Sequence, residues 1–170
     1  MSKVEFNNRV AIVTGAGVGL GRSHALELAR RGVKVVVNDL GGSVDGTGGT
    51  NTVAENVVAE IEAAGGEAMA NGANVTNEAE VEAMVSAAID RWGHVDILVN
   101  NAGILRDKSF SKMEMGDFRT VIDVHLIGSA ICSRAVWNHM KERNYGRIVM
   151  TTSASGMYGN FGQSNYGAAK

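Results

Sequence analysis

The sequence predicts a doubly wound α/β domain on a parallel sheet of strand order 3-2-1-4-5. Three observations carry this. Short, nearly unbroken runs of valine and isoleucine recur along the 170 residues. Helical patterns of apolar residues separate them. A glycine-rich stretch, T-G-A-G-V-G-L-G at positions 14–21, joins the first run to the first helical pattern. Strands without polar alternation are buried on both faces, the condition of a parallel sheet clad in helices. Right-handed crossovers between such strands select the doubly wound order.

In chain order, R-V-A-I-V-T at 9–14 predicts the first strand and residues 20–31 the first helix. K-V-V-V-N-D at 34–39 predicts the second strand. The low-complexity run 41–50, G-G-S-V-D-G-T-G-G-T, is expected to be a mobile surface loop. Val53, Val57 and Ile61 recur at helical spacing up to Gly65-Gly66, and a brief strand follows at 68–74. Val81, Met84, Val85, Ala88, Ile89 and Trp92 form the cleanest helical stripe. V-D-I-L-V-N at 95–100 is a strand, residues 117–142 one long helix, and R-I-V-M-T-T at 147–152 the fifth strand.

Composition narrows the function. With 45% hydrophobic and 20% charged residues the chain belongs among soluble globular domains. A net charge of −2 offers no basic footprint for nucleic acid. No apolar run approaches the roughly 18 residues that span a bilayer, and the start, M-S-K-V-E-F-N-N, has no apolar signal region. One cysteine, Cys132, rules out a disulfide within these residues and is expected to pack in a helix. His24, His94 and His139 have no metal-ligand spacing, so no metal is expected. The default compartment is cytoplasmic. The 22 glycines without a single proline suggest tight turns, or backbone that a ligand approaches closely.

Between a strand and a helix, glycines let a pyrophosphate sit on the helix N-terminus, where unpaired N–H groups and about half a positive charge meet it. Leu20 stands where the third glycine of a strict G-x-G-x-x-G would be. The spacing fits T-G-x-x-x-G-x-G instead, with Gly15, Gly19 and Gly21. Asp39 ends the second predicted strand, eighteen residues after Gly21. That is close to the roughly 20 expected for an acid that binds the adenosine ribose. A carboxylate there repels a 2′-phosphate, so NAD is expected in preference to NADP. Arg22 is the one nearby basic residue that weakens this expectation.

Tyr166 and Lys170 are four positions apart and share a face if helical. A free phenol, with pKa near 10, is a poor base at neutral pH, and an adjacent cation favours its ionised form. Ser153, near the end of the fifth predicted strand, is placed to hydrogen-bond a substrate oxygen; a cap or turn residue is its plain alternative.

Together these motifs resemble the short-chain dehydrogenase/reductase family, whose fold is Rossmann-like. The resemblance runs through T-G-x-x-x-G-x-G, N-N-A-G at 100–103, Ser153, and Y-x-x-x-K at 166–170. It implies Ser153, Tyr166 and Lys170 as catalytic, with His125 near a proton path where the family commonly has asparagine. It also implies cofactor contacts from Gly15, Gly19, Leu20, Gly21, Asp39, Asn74, Val75, Asn101, Ala102, Gly103, Tyr166 and Lys170. Many members have aspartate at the Asn74 position, and an amide oxygen can still accept from the adenine amino group. His125 also lies on the apolar stripe of Phe118, Val121 and Ile122, so a core histidine is the alternative.

Segments such as V-V-V-N-D-L-G-G and N-N-A-G-I-L-R-D-K-S-F resemble the (3R)-hydroxyacyl-CoA dehydrogenase subgroup, found in peroxisomal multifunctional enzyme type 2 and bacterial relatives. This implies an NAD-dependent oxidoreductase acting on a small-molecule acyl thioester, peroxisomal if eukaryotic. A 3-oxoacyl-carrier-protein reductase, a steroid or polyol dehydrogenase, and a non-catalytic redox sensor stay open. Family members continue beyond the lysine of Y-x-x-x-K. The expectation is therefore one domain over 1–170, truncated at its C-terminus, with a homo-oligomeric full-length form. A helix barely begun at Ser164 is expected to have little to hold Tyr166 in place.

Overall fold

Val10 and Ile12 point to one side of the first strand, Ala11 and Val13 to the other, and all four are fully buried. In the computed structural model, which describes residues 4–48 and 52–170, both sides are covered by helices. The strands are β1 (Val10–Thr14), β2 (Lys34–Asn38), β3 (Ala68–Asn71), β4 (Ile97–Asn100) and β5 (Arg147–Met150). They pair in parallel in the order β3-β2-β1-β4-β5, as the sequence predicts. The helices are α1 (Gly19–Arg30), α2 (Thr52–Ala63), α3 (Glu78–Trp92), α4 (Met115–Ile122), α5 (Gly128–Glu142), α6 (Ala154–Tyr158) and α7 (Ser164–Ala169).

On one face Val10, Ile12, Val36 and Leu98 meet the stripe of α3 and Cys132, Val136 and Met140 of α5. Burial pushes the Cys132 thiol up to about 12, so it packs as an inert side chain. On the other face Ala11, Val13, Val35 and Val37 meet Ala25 of α1 and Ala54, Val57 and Ile61 of α2. At the N-terminal ends of the strands, buried Asp96 fastens β1 to β4. It accepts from the Val10 N–H at 3.1 Å and from Arg9 Nη1 at 3.3 Å, with His94 Nε2 3.1 Å away. Beside it, His139 Nε2 accepts from the Val95 N–H at 3.2 Å.

Three expectations need correction. The long helix over 117–142 is broken: a π-turn, Asp123–Ile127, separates α4 from α5. Such a turn inserts a residue into the hydrogen-bond ladder and redirects the side chains on it. The glycine-rich loop was expected to be mobile; its described part, 41–48, is anchored. Leu105 N–H donates to Val44 O and Arg106 Nε to Asp45 O, both at 2.9 Å. Gly49 and Thr50 lie outside the described residues. Finally, α7 is short but held. Asn165 is fully buried and donates to Arg106 O at 2.9 Å, while Ala169 packs with Ile104 and Val121.

Buried His125 and partly buried His139 give the stability a pH dependence. Burial lowers the pKa of both His125 and His139. Lys170 adds to this for His125 against a hydrogen bond from Ile104, and Arg143 adds to it for His139. The unfolded chain therefore takes up these protons first, as pH falls through about 6.5. Their contribution is complete above that pH and is lost below it. The urea midpoint is expected to fall between pH 7.5 and 5.5, and His139→Gln, which keeps an acceptor for Val95, should flatten part of the fall. A midpoint equally steep in His139→Gln would show that His139 plays no part.

Candidate active site

The glycine turn works by what its residues lack. A Cβ on Gly21 would lie 2.0 Å from Gly15 O and 2.5 Å from Asn101 Nδ2. A Cβ on Gly15, whose φ is +61°, would lie 2.8 Å from Ala102 Cα. Gly19 differs: nothing lies within 4 Å of its Cβ position, and its φ of +56° is the reason for glycine. The turn is tied to the loop after β4. Thr14 Oγ1 accepts from the N–H groups of Asn101 and Ala102, each at 3.0 Å. Asn101 Nδ2 donates to the carbonyls of Thr14 at 3.0 Å and Gly15 at 2.9 Å. Asn101 is thus a clamp on the turn. No side chain caps the start of α1, so its first N–H groups face outward for an anion.

A cleft of about 540 Å³ opens beside this turn at the C-terminal edge of the sheet. Gly15, Asp39, Asn74, Val75, Asn101, Ala102 and Gly103 line it. Gly19, Leu20 and Gly21 sit in the first turn of α1 and outside that lining, with the Leu20 side chain 68% exposed. Asp39 is held by both oxygens, from the Gly17 and Gly41 N–H groups at 2.7 Å each. Arg22 is drawn to α2, where Nε and Nη2 bind the Glu60 carboxylate at 3.3 and 2.5 Å. Asn74 Oδ1 already accepts from Thr76 N and Oγ1 at 3.0 and 2.9 Å. An adenine amino group would have to compete for it. Val44 and Gly46 also line the cleft. Neither was expected there, because a glycine-rich run looks the same in sequence whether it is tethered or free.

Tyr166 lies on α7 and Lys170 is its C-cap, both outside the lining of the cleft. Lys170 Nζ is 5.7 Å from the centre of the Tyr166 ring and donates to Thr151 O at 2.7 Å. Burial lowers the Lys170 pKa. Ser153 is the N-cap of α6, its Oγ accepting from the Ser155 N–H at 3.2 Å. A hydroxyl that accepts in this way still has its proton to donate. No hydrogen bond joins Ser153 to Tyr166 among the described residues. His125 sits in the π-turn, 6% exposed, with its ring edge-on to Tyr166 at 5.1 Å between centroids. No group of acidic, histidine and cysteine side chains among the described residues has the arrangement of a metal site.

The model of the short chain dehydrogenases matches residues 9–170, and the chain belongs to that family. It is 57% identical, over 98% of its length, to peroxisomal multifunctional enzyme A of Dictyostelium discoideum. It is 55% identical, over 99% of its length, to peroxisomal multifunctional enzyme type 2 of Mus musculus. It spans 37% and 23% of those relatives' own lengths. Among solved structures it resembles 7 alpha-hydroxysteroid dehydrogenase complexed with NADH and 7-oxo glycochenodeoxycholic acid. The TM-score is 0.88 at 34% identity, covering 98% of this chain and 61% of that one.

The two kinds of glycine separate experimentally. Gly19→Ala is expected to cost only the left-handed backbone penalty, about 1–2 kcal/mol of stability. Gly21→Ala must push the turn off the loop after β4. It should weaken NADH binding by at least about tenfold, roughly 1.4 kcal/mol. Fluorescence titration of both variants checks this, and equal losses would contradict the close-packing account.

Proposed function

We propose that this chain is the NAD-dependent dehydrogenase unit of an enzyme interconverting a secondary alcohol and a ketone, with 3-hydroxyacyl-CoA and 3-oxoacyl-CoA as the pair. The observation that carries the reading is the Tyr166–Lys170 pair on α7, held at the same sheet edge as the glycine turn. The residues fit a dinucleotide. A Cβ would fill the cradle at Gly15 and Gly21, and Asp39 stands fixed in the cleft wall beside Gly17. Gly15, Gly21 and the start of α1 would hold the pyrophosphate, and Asp39 the adenosine ribose. When bound, NAD supplies the hydride acceptor.

In the oxidising direction, the substrate hydroxyl gives its proton to the Tyr166 oxygen. The Lys170 ammonium, fixed by Thr151 O, stabilises negative charge on that oxygen before the transfer. The Ser153 O–H donates to the substrate oxygen, holding it in line and stabilising charge that develops there. In the reducing direction the Tyr166 proton returns to the ketone oxygen. Asp39 favours NAD because its carboxylate repels a 2′-phosphate, and the Arg22–Glu60 pair removes the nearest compensating cation. The resemblance of V-V-V-N-D-L-G-G and N-N-A-G-I-L-R-D-K-S-F to (3R)-hydroxyacyl-CoA dehydrogenases supports the acyl thioester reading. A 3-oxoacyl-carrier-protein reductase would be distinguished by NADPH use, and a redox sensor by NAD binding without turnover.

Two measurements on the whole gene product test this. NAD is expected to bind at least about tenfold tighter than NADP, a difference of roughly 1.4 kcal/mol. Asp39→Ser should erase most of that preference; an unchanged ratio would make Asp39 only a loop anchor. Tyr166→Phe should keep NAD affinity and lose at least about a hundredfold in kcat, the usual scale of one acid–base group. Substantial turnover in Tyr166→Phe would overturn the proton-transfer role.

A further inference from the structure

Arg106 stands where three parts of the structure meet. Its Nε donates to Asp45 O at 2.9 Å, and its Nη1 donates to Asp117 Oδ1 at 2.9 Å. Its own carbonyl accepts from Asn165 Nδ2, also at 2.9 Å. Asp45 belongs to the segment 41–48, of which Gly42, Ser43, Val44 and Gly46 line the cleft. Asp117 lies in the first turn of α4, and the fully buried Asn165 lies on α7 beside Tyr166. One residue therefore joins the wall of the cleft, the helix that leads into the π-turn, and the helix that carries Tyr166.

The ion pair alone does not explain an arginine here. The Arg106 and Asp117 side chains are 25% and 23% exposed, and a pair open to solvent contributes little to stability. Lys108 Nζ, at 3.9 Å, also serves Asp117. What arginine adds is a rigid planar fork that reaches two acceptors at once. Apart from the fork, segment 41–48 meets the loop after β4 through the bond from the Leu105 N–H to Val44 O. One backbone bond is a pivot, and the fork stops the segment turning about it. The fork thereby keeps Gly46 against Ile104: a Cβ on Gly46 would lie 3.1 Å from Ile104 Cγ2. Ile104 in turn packs with Val121, Ala169 and Tyr166.

We propose that Arg106 is a positioning residue that links segment 41–48 to α7, so that a ligand filling only the Asp39 end of the cleft steadies Tyr166 and Lys170. This rests on the reading of the cleft as a dinucleotide site. Asp39 Oδ1 already accepts from the Gly41 N–H at 2.7 Å, so a ligand seated on Asp39 acts on the start of 41–48. From there the link runs through Asp45 O to the Arg106 guanidinium, and from the Arg106 carbonyl to Asn165. Tyr166 and Lys170 lie outside the lining of the cleft. A ligand confined to the Asp39 end reaches them only through such a link.

ADP is the probe, because it has the adenosine and pyrophosphate of NAD without the nicotinamide half. Hydrogen exchange of the whole gene product, with and without saturating ADP, is followed in peptides covering 41–48 and 164–170. ADP should slow exchange in both, and by at least about fivefold in 164–170, the lower end of usual coupling between sites. Arg106→Lys keeps a charge for Asp117 but has no fork. In that variant ADP should still protect 41–48 and no longer protect 164–170. Its kcat at saturating NAD should fall at least about fivefold while its unfolding midpoint stays close to that of the unmodified protein. Arg106→Ala should lose the same protection; Arg106→Lys guards against a folding failure in it. Protection of 164–170 that persists in Arg106→Lys would overturn the link and leave Arg106 a structural ion pair. Protection confined to 41–48 in the unmodified protein would overturn the link while the dinucleotide reading stands. If ADP bound nowhere on the unmodified protein, the dinucleotide reading would fall, and the link with it.

Discussion

Contact between the glycine turn after β1 and the loop after β4 is the constraint on which the site depends. At Gly15 the two backbones meet at a distance that no Cβ permits, and a Cβ on Gly21 would strike Gly15 O and Asn101 Nδ2. Thr14 and Asn101 hold them with four hydrogen bonds between side chain and backbone. Because β1 and β4 are neighbours in the sheet, this clamp also fixes where α1 begins relative to N-N-A-G. The cleft, the uncapped start of α1 and the seat of Asp39 all follow from that placement. At the opposite ends of the same two strands, Asp96 makes an equivalent fastening. The β1–β4 pair is thus locked at both ends.

From the clamp outward, the site is assembled by loops that lean on one another. The loop after β4 receives the segment 41–48 on one side and α7 on the other. Tyr166 and Lys170 therefore owe their place less to the length of α7 than to Asn165 and Ala169 beneath it. Lys170 is further tethered to Thr151, which is itself bonded through its N–H to Asn100 O at 3.1 Å. A charged nitrogen that is half-buried and hydrogen-bonded has a defined position, which an acid–base pair requires.

The sheet was legible because four of its five strands are valine- or isoleucine-rich runs; β3, A-M-A-N, is the exception. Strand order followed from the handedness of parallel crossovers. The π-turn was not legible. Phe118, Val121, Ile122 and His125 keep helical spacing across it, and one inserted residue leaves such a pattern intact. The anchoring of 41–48 was hidden for a different reason, since its partners, Leu105 and Arg106, are some sixty residues away and bond only to its backbone. In the site, the motif spacing does not display which hydrogen bonds its residues already make within the protein. Asn101 proved to be a clamp, Asn74 an internal turn acceptor, and Ser153 a helix cap that keeps a donor. Spacing reveals which residues converge. Which lone pair is already occupied depends on neighbours that sequence does not display.

The account holds that hydrogen leaves C3 of a 3-hydroxyacyl thioester as hydride while its hydroxyl proton goes to Tyr166. Following a deuterium label is the most direct check. The whole gene product would be mixed with NAD and a 3-hydroxyacyl-CoA deuterated at C3, and the cofactor recovered for mass analysis. One deuterium in the reduced nicotinamide for every 3-oxoacyl-CoA formed is the expected result. Tight NAD binding with the label left on the thioester would contradict it.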